Sequence, residues 1–547
     1  MDAYQPADLV LSRRFLRKCR QAKKRRKVAD STGVELTGGR LLAASIVLGR
    51  ILKRMFLTND EKHVGVLVPP SVGGVLANTS LTLLNRVAVN LNYTLTNEAV
   101  NDCIRRAKIK HVVTSRKVLK KCGFELDAEL IFIEDLKKLA TKRDKLIAAL
   151  QAFVLPIPIV ERQLGLHRVQ PDDLLTILFT SGSTGVPKGV MLTHRNVSCN
   201  TLGVGSVAHI RADDMLIGIL PFFHSFGYTA TLWLPLTLDA AAAYHFSPLE
   251  AREIGKLFET YNGSILMSAP TFLRAYLKRW TAEQVKNLSL VIVGSEKMPA
   301  DLTEAFREKF GVEPSEGYGA TELSPVVSVN IPENRLTTNS PAGTKLGSVG
   351  RPLPGVKVKV IDPDTFQDRG LKEEGLLLVS GPNVMQGYYE DDDRTGKVVR
   401  DGWYVTGDFA RIDDDGYIEI TGRQSRFSKI GGEMVPHERI EKLLQAAISQ
   451  VSDDSDDQDD DDDNVKIPSL MVAVSSVPCQ KRGERLIVFY RMNPLSPDEL
   501  IRYLHQHDLP NLWIPDRDSF IEIDEIPILG TGKLDLRRLK ELAGSRG

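Results

Sequence analysis

Ten residues carry the clearest chemical signal in the chain: Thr180-Ser-Gly-Ser-Thr-Gly-Val-Pro-Lys-Gly189. Gly182 and Gly185 permit positive φ and close approach of backbone to a ligand. The hydroxyls of Ser181, Ser183 and Thr184, with successive backbone N–H groups, make an anion-binding concavity. Lys188 adds a mobile positive charge. This is the chemistry of holding a polyphosphate. The spacing is not that of the kinase and GTPase loop, which needs four residues between Gly and Gly-Lys-[Ser/Thr] and then a helix. A Gly/Ser surface turn is the plain alternative; ten residues of this composition behind an apolar run argue against it.

A second cluster is Glu316-Gly-Tyr-Gly-Ala-Thr-Glu322. Gly317 and Gly319 free the backbone. Tyr318 offers an aromatic face to a base. Thr321 can bond phosphate, and Glu322 can hold Mg²⁺, a hard cation that takes one or two carboxylates plus phosphate oxygens.

The elements that must position these groups are legible from apolar runs. Leu174–Phe179 and Val190–Leu192 predict strands on either side of the first loop, and Thr193 predicts a helix N-cap. His63–Val68, Val87–Leu91, Ile109–Val113, Met215–Leu220 and Leu288–Val293 predict strands, and Ser71–Leu84 a helix. This alternation predicts an α/β (α+β) fold with a largely parallel sheet. Ligands in such sheets sit beyond the carboxyl ends of strands, which directs attention to Gly294, Ser295 and Glu296.

Composition narrows the classes. The chain has 547 residues, 42% hydrophobic and 26% charged, enough for more than one domain. A net charge of +1 gives no electrostatic case for nucleic acid. Five scattered cysteines argue against a zinc site or disulfide framework and suit a reducing compartment. The longest apolar stretch, Leu146 to Val160, is interrupted by Gln151, Pro156 and Pro158 and is too short to span a bilayer. No signal peptide is visible, so a cytoplasmic protein is expected, with peripheral contact at the inner membrane face as an added option. Arg13 to Lys27 is strongly basic and predicts an amphipathic helix. It suits a solvated face, anionic lipid, or an acidic protein partner. Ser452 to Asn464 is an acidic, apolar-poor insert that predicts disorder.

The motifs, taken in order, resemble those of the adenylate-forming superfamily of acyl-CoA synthetases, acyl-carrier-protein synthetases, luciferases and peptide-synthetase adenylation domains. The resemblance spans about residues 30 to 540. It implies a large adenylation domain at 30–425 that binds ATP and an acyl chain, preceded by a basic helix at 1–29. It implies a small mobile domain at 426–547, with the acidic insert at 452–464. Thr180 to Gly185, Gly294, Ser295, Glu296, Gly317, Tyr318 and Gly319 are then ATP/AMP contacts. Asp408 takes both ribose hydroxyls, and Arg423 contacts ribose and phosphate. Glu322 holds Mg²⁺; Lys188, Thr321, Glu322 and Lys533 are catalytic. Phe223, His224, Phe226 and Gly319 line the substrate pocket, and Arg426 is the hinge, where other members carry Asp or Lys.

Phe222 to Trp233 holds no acidic residue to pair an amino-acid ammonium, which would be costly to bury alone, so a plain carboxylic acid is implied. The run from Arg426 to Val435 resembles the synthetase half of bifunctional bacterial acyl-[acyl-carrier-protein] synthetase/2-acylglycerophosphoethanolamine acyltransferases. That subgroup implies a fatty acid substrate and acyl carrier protein as acceptor. Coenzyme A as acceptor, and a non-catalytic acyl- or nucleotide-binding protein, are the alternatives.

Overall fold

The structure, a computed structural model, describes residues 8–180, 187–338, 340, 343–431, 433–452, 471–479, 481–491, 495–507, 509–528 and 534–546. It is a mixed α/β protein with a large N-terminal and a smaller C-terminal domain.

Two sheets dominate the larger part. The first runs, in spatial order, Gly387–Tyr388, Lys188–Thr193, Leu174–Thr180, Val87–Asn90, His63–Leu67, His111–Thr114 and Glu129–Phe132. Its inner strands pair in parallel. Val87–Asn90 and His111–Thr114 are buried at every position, as strands covered on both faces must be. The second sheet has nine strands, with Leu290–Val293 beside Ser315–Gly319 and with Ala241–Tyr244 between Met215–Gly218 and Arg26–Asp30. A third sheet is built from residues 357–423, and a fourth from strands between Phe427 and Glu522.

Local chemistry sets the element ends. Ser71 Oγ accepts from Gly74 N at 3.1 Å and starts the helix Val72–Leu83. Thr193 and Asn196 form a reciprocal capping box at the helix His194–Val207, satisfying two backbone donors that have no partner within the helix.

The basic N-terminal segment departs from expectation. The helix covers only Leu11–Gln21; Arg26 and Lys27 belong to a strand of the nine-stranded sheet. Nor is the segment a separate unit: Leu11, Phe15, Leu16 and Cys19 lie in the main core. Several of its charges find internal partners. Glu161 accepts from Arg13 and Arg17, Asp239 pairs with Lys18, and buried Lys27 donates to the carbonyls of Leu238 and Ala240 at 2.7 and 2.8 Å. Burial lowers the Lys27 pKa to about 8.

Ser452 closes the helix His437–Ser452. The rest of the acidic insert lies outside the described residues.

Candidate active site

The first loop hangs on an antiparallel pair, Leu174–Thr180 with Lys188–Thr193, in which Thr180 faces Lys188. Ser181, Gly182, Ser183, Thr184 and Gly185 lie outside the described residues. Gly189 is required by packing: a Cβ there would meet Ile177 Cγ2 at 2.9 Å. Its carbonyl accepts from Tyr389 N at 2.7 Å, which seats the short strand Gly387–Tyr388 alongside.

That strand delivers Tyr388, which sequence reasoning did not single out. Lys188 Nζ lies 5.2 Å from the centre of its ring, and its hydroxyl donates to Glu322 Oε1 at 2.8 Å. Met385 N donates to the Glu322 carbonyl at 2.8 Å. Residues 188, 322 and 388 thus form one cluster at the end of the seven-stranded sheet. A tyrosine following glycine in a two-residue strand gives no chemical cue; only the pairing reveals it.

Thr321 Oγ1 lies 3.2 Å from Ser225 Oγ, joining this cluster to Pro221–Gly227. Within that segment Phe223 packs edge-on against Tyr93, ring centres 4.8 Å apart. His224 Nδ1 accepts from Phe226 N at 3.3 Å. The Phe226 ring borders Gly294, where an added Cβ would sit 3.5 Å from it. Ser295 holds φ of +73°, an uncommon left-handed conformation for a non-glycine residue. Thr271 Oγ1 donates to Glu296 Oε2 at 2.6 Å.

Gly319 cannot be replaced in place, because a Cβ would lie 2.1 Å from the Pro325 carbonyl. Tyr318 is largely buried, and its hydroxyl donates to Asp408 Oδ2 at 2.5 Å. Burial, then the neighbouring Asp408 charge, pushes the phenol pKa well above its ordinary value. Sequence reasoning assigned Tyr318 only a ring face; its hydroxyl has this further task. Arg423 Nε holds Asp408 Oδ1 at 3.0 Å. An ionised carboxylate is acceptor-only, the chemistry that suits hydroxyl donors.

A cleft of about 1550 Å³ borders Ser295, Glu296, Tyr318 and Arg423 on one side and Glu441 and Leu534 on the other. Arg426 is buried at its edge. It ion-pairs with Glu441 and donates to the Val474 carbonyl at 3.3 Å. Lys533 lies outside the described residues; its neighbour Leu534 pairs with Ile528 in an isolated bridge, and both border the cleft. Among the described residues no group of three or more His, Cys, Asp or Glu forms a metal cage.

A family model for AMP-binding enzymes matches residues 15–389. The chain is 30% identical over 390 residues to the putative acyl-CoA synthetase YngI of Bacillus subtilis, covering 69% of this chain and 64% of that protein. It is 30% identical over 383 residues to the long-chain-fatty-acid–CoA ligase of Salmonella typhimurium, covering 69% and 63%. Among solved structures, ATP-bound MatB from Rhodopseudomonas palustris superimposes with a TM-score of 0.76 at 24% identity, over 97% of this chain and 98% of that one. O-succinylbenzoate coenzyme A synthetase (MenE) of B. subtilis, in complex with ATP and magnesium, gives a TM-score of 0.77 at 22% identity, over 98% and 99%. The chain therefore spans slightly less than two thirds of the two sequence relatives and nearly all of the two structural ones.

Proposed function

The chain belongs to the AMP-binding enzyme family, and on that premise we propose that it is a fatty acid:CoA ligase. A fatty carboxylate attacks the α-phosphate of ATP, releasing pyrophosphate and leaving acyl-AMP. The thiol of coenzyme A then attacks the acyl carbonyl and expels AMP. The observation that carries this reading is the convergence of Lys188, Tyr388 and Glu322 where Thr180 and Lys188 bracket the phosphate-type loop.

The barrier to the first step is electrostatic, since an anion approaches a polyanion. Lys188 offsets charge on the phosphates. Thr321 bonds a phosphate oxygen. Asp408, fixed by Tyr318 and Arg423, orients the ribose. Lys533 approaches the reacting carboxylate from the small domain. In the second step that domain turns about Arg426, whose side chain is tied to Glu441. Glu322 fits a magnesium ion: it is a half-buried carboxylate with one oxygen fixed by Tyr388. Such a cation draws its other ligands from phosphate and water and supplies charge neutralisation when bound.

The named sequence relatives are CoA synthetases and ligases, which favours coenzyme A over acyl carrier protein as acceptor. The reaction is tested by ATP–pyrophosphate exchange. Exchange that requires palmitate supports adenylation. Exchange with no acid dependence contradicts it, and no exchange with any fatty acid leaves a binding protein.

A further inference from the structure

The apolar stretch from Leu146 to Val160 takes no part in the chemistry above. It forms the end of the helix Lys142–Ala149, a π-helical turn Leu150–Val154 and the start of the helix Ile157–Gln163. Its inner face is anchored. Ala148, Ala152 and Val160 are in the main core and Gln151 O accepts from Arg20; Phe153, exposed at the border, touches Gly39. Among the described residues its outer face is apolar and uncovered: Leu146, Leu150, Val154 and Ile159 are 63%, 41%, 65% and 45% exposed. Leu146, Leu150 and Val154 recur every four residues and share one side. Isolated exposed apolar residues need no explanation, but a contiguous row does.

The rim of this row is cationic. Lys142, Arg143 and Lys145 are exposed at one end. Exposed Lys23 and Arg40 flank Phe153, because Gly39 N bonds the Lys23 carbonyl. The two carboxylates of the segment are already neutralised: Asp144 by Arg50 and Arg54, Glu161 by Arg13 and Arg17. The chain as a whole carries only +1, so this face is a local departure. No helix among the described residues is long and apolar enough to cross a membrane. An apolar ridge with a basic rim suits lying in the interface instead.

We propose that the face formed by Leu146, Leu150, Val154 and Ile159, with Lys142 and Lys145 at its rim, docks the protein onto an anionic lipid bilayer. The side chains enter the acyl boundary while the cations meet the headgroups. This rests on none of the assignments made for the cleft.

The test is co-sedimentation of the full chain with two kinds of vesicle, phosphatidylcholine alone and phosphatidylcholine with about 30% phosphatidylglycerol. The protein binds the anionic vesicles preferentially. Leu150→Asp with Val154→Asp lowers the partition coefficient at least about tenfold. Lys142→Glu with Lys145→Glu lowers it severalfold, as does raising salt. Far-UV circular dichroism and the urea midpoint stay unchanged in both variants, which shows they are folded. Absence of vesicle binding, or binding untouched by the apolar substitutions, overturns the proposal. So does a dimer that Leu150→Asp with Val154→Asp dissolves, which would make a second copy the occupant.

Discussion

The phenol of Tyr388 donates to Glu322 Oε1 at 2.8 Å while Lys188 Nζ stands 5.2 Å from the centre of the same ring. One aromatic side chain therefore sets the spacing between a cation and a carboxylate assigned to the same polyphosphate. Tyr388→Phe removes a hydrogen bond to a charged group, an interaction of about 1.5–3 kcal/mol. The expected result is a roughly 10- to 100-fold loss in kcat/KM for Mg-ATP, with more magnesium needed to reach half-maximal exchange. Glu322→Ala loses more, roughly 100-fold or beyond. A magnesium dependence that neither variant alters would remove Glu322 as a metal ligand.

Asp408 is held from two sides, by Tyr318 and by Arg423. Asp408→Asn turns one acceptor oxygen into a donor and breaks the Arg423 pair. The KM for ATP should rise about tenfold or more, while 2′-deoxy-ATP, lacking one of the expected donors, should lose little further. An equal penalty for both nucleotides would show that Asp408 does not read the ribose.

Lys533 is assigned to the first half-reaction only. Lys533→Ala should abolish acyl-AMP formation, by roughly 100-fold or more, and spare thioester formation from supplied acyl-AMP. Rapid-quench measurement of each half-reaction separates the two. Equal loss in both would defeat that division of roles.

His194 is buried, and its Nδ1 accepts from Leu11 N at 3.2 Å, tying the N-terminal helix to the core. Burial pushes its pKa from 6.5 down to about 3. Between those values the unfolded chain binds the proton and the folded chain does not. Stability therefore falls as pH drops from about 6.5 toward 3, by up to about 1.4 kcal/mol per unit from this group. Urea titrations between pH 6.5 and 4.5 should show a shallower decline for His194→Gln than for the parent chain. Parallel declines would assign the acid sensitivity elsewhere.

Much of the fold was legible because buried parallel strands are continuous apolar runs. Leu174 to Phe179 and His63 to Val68 were read within a residue or two of their ends, and Ser71 and Thr193 marked helix starts. The N-terminal helix was harder. Its arginines look solvated in one dimension, because the carboxylate that neutralises Arg13 and Arg17 lies about 145 residues away at Glu161. Tyr388 was hidden for the same reason: its role arises from pairing with a strand distant in the chain, not from any local pattern. The acidic run after Ser452 and the loop carrying Lys533 fall outside the described residues.

The most direct measurement incubates the purified protein with palmitate, Mg-ATP and either coenzyme A or holo acyl carrier protein, and reads the thioester by mass. Palmitoyl-CoA, formed in step with AMP and pyrophosphate, is the predicted product. Acylated carrier protein without palmitoyl-CoA would contradict the choice of acceptor, and AMP release with neither thioester would contradict the ligase reading itself.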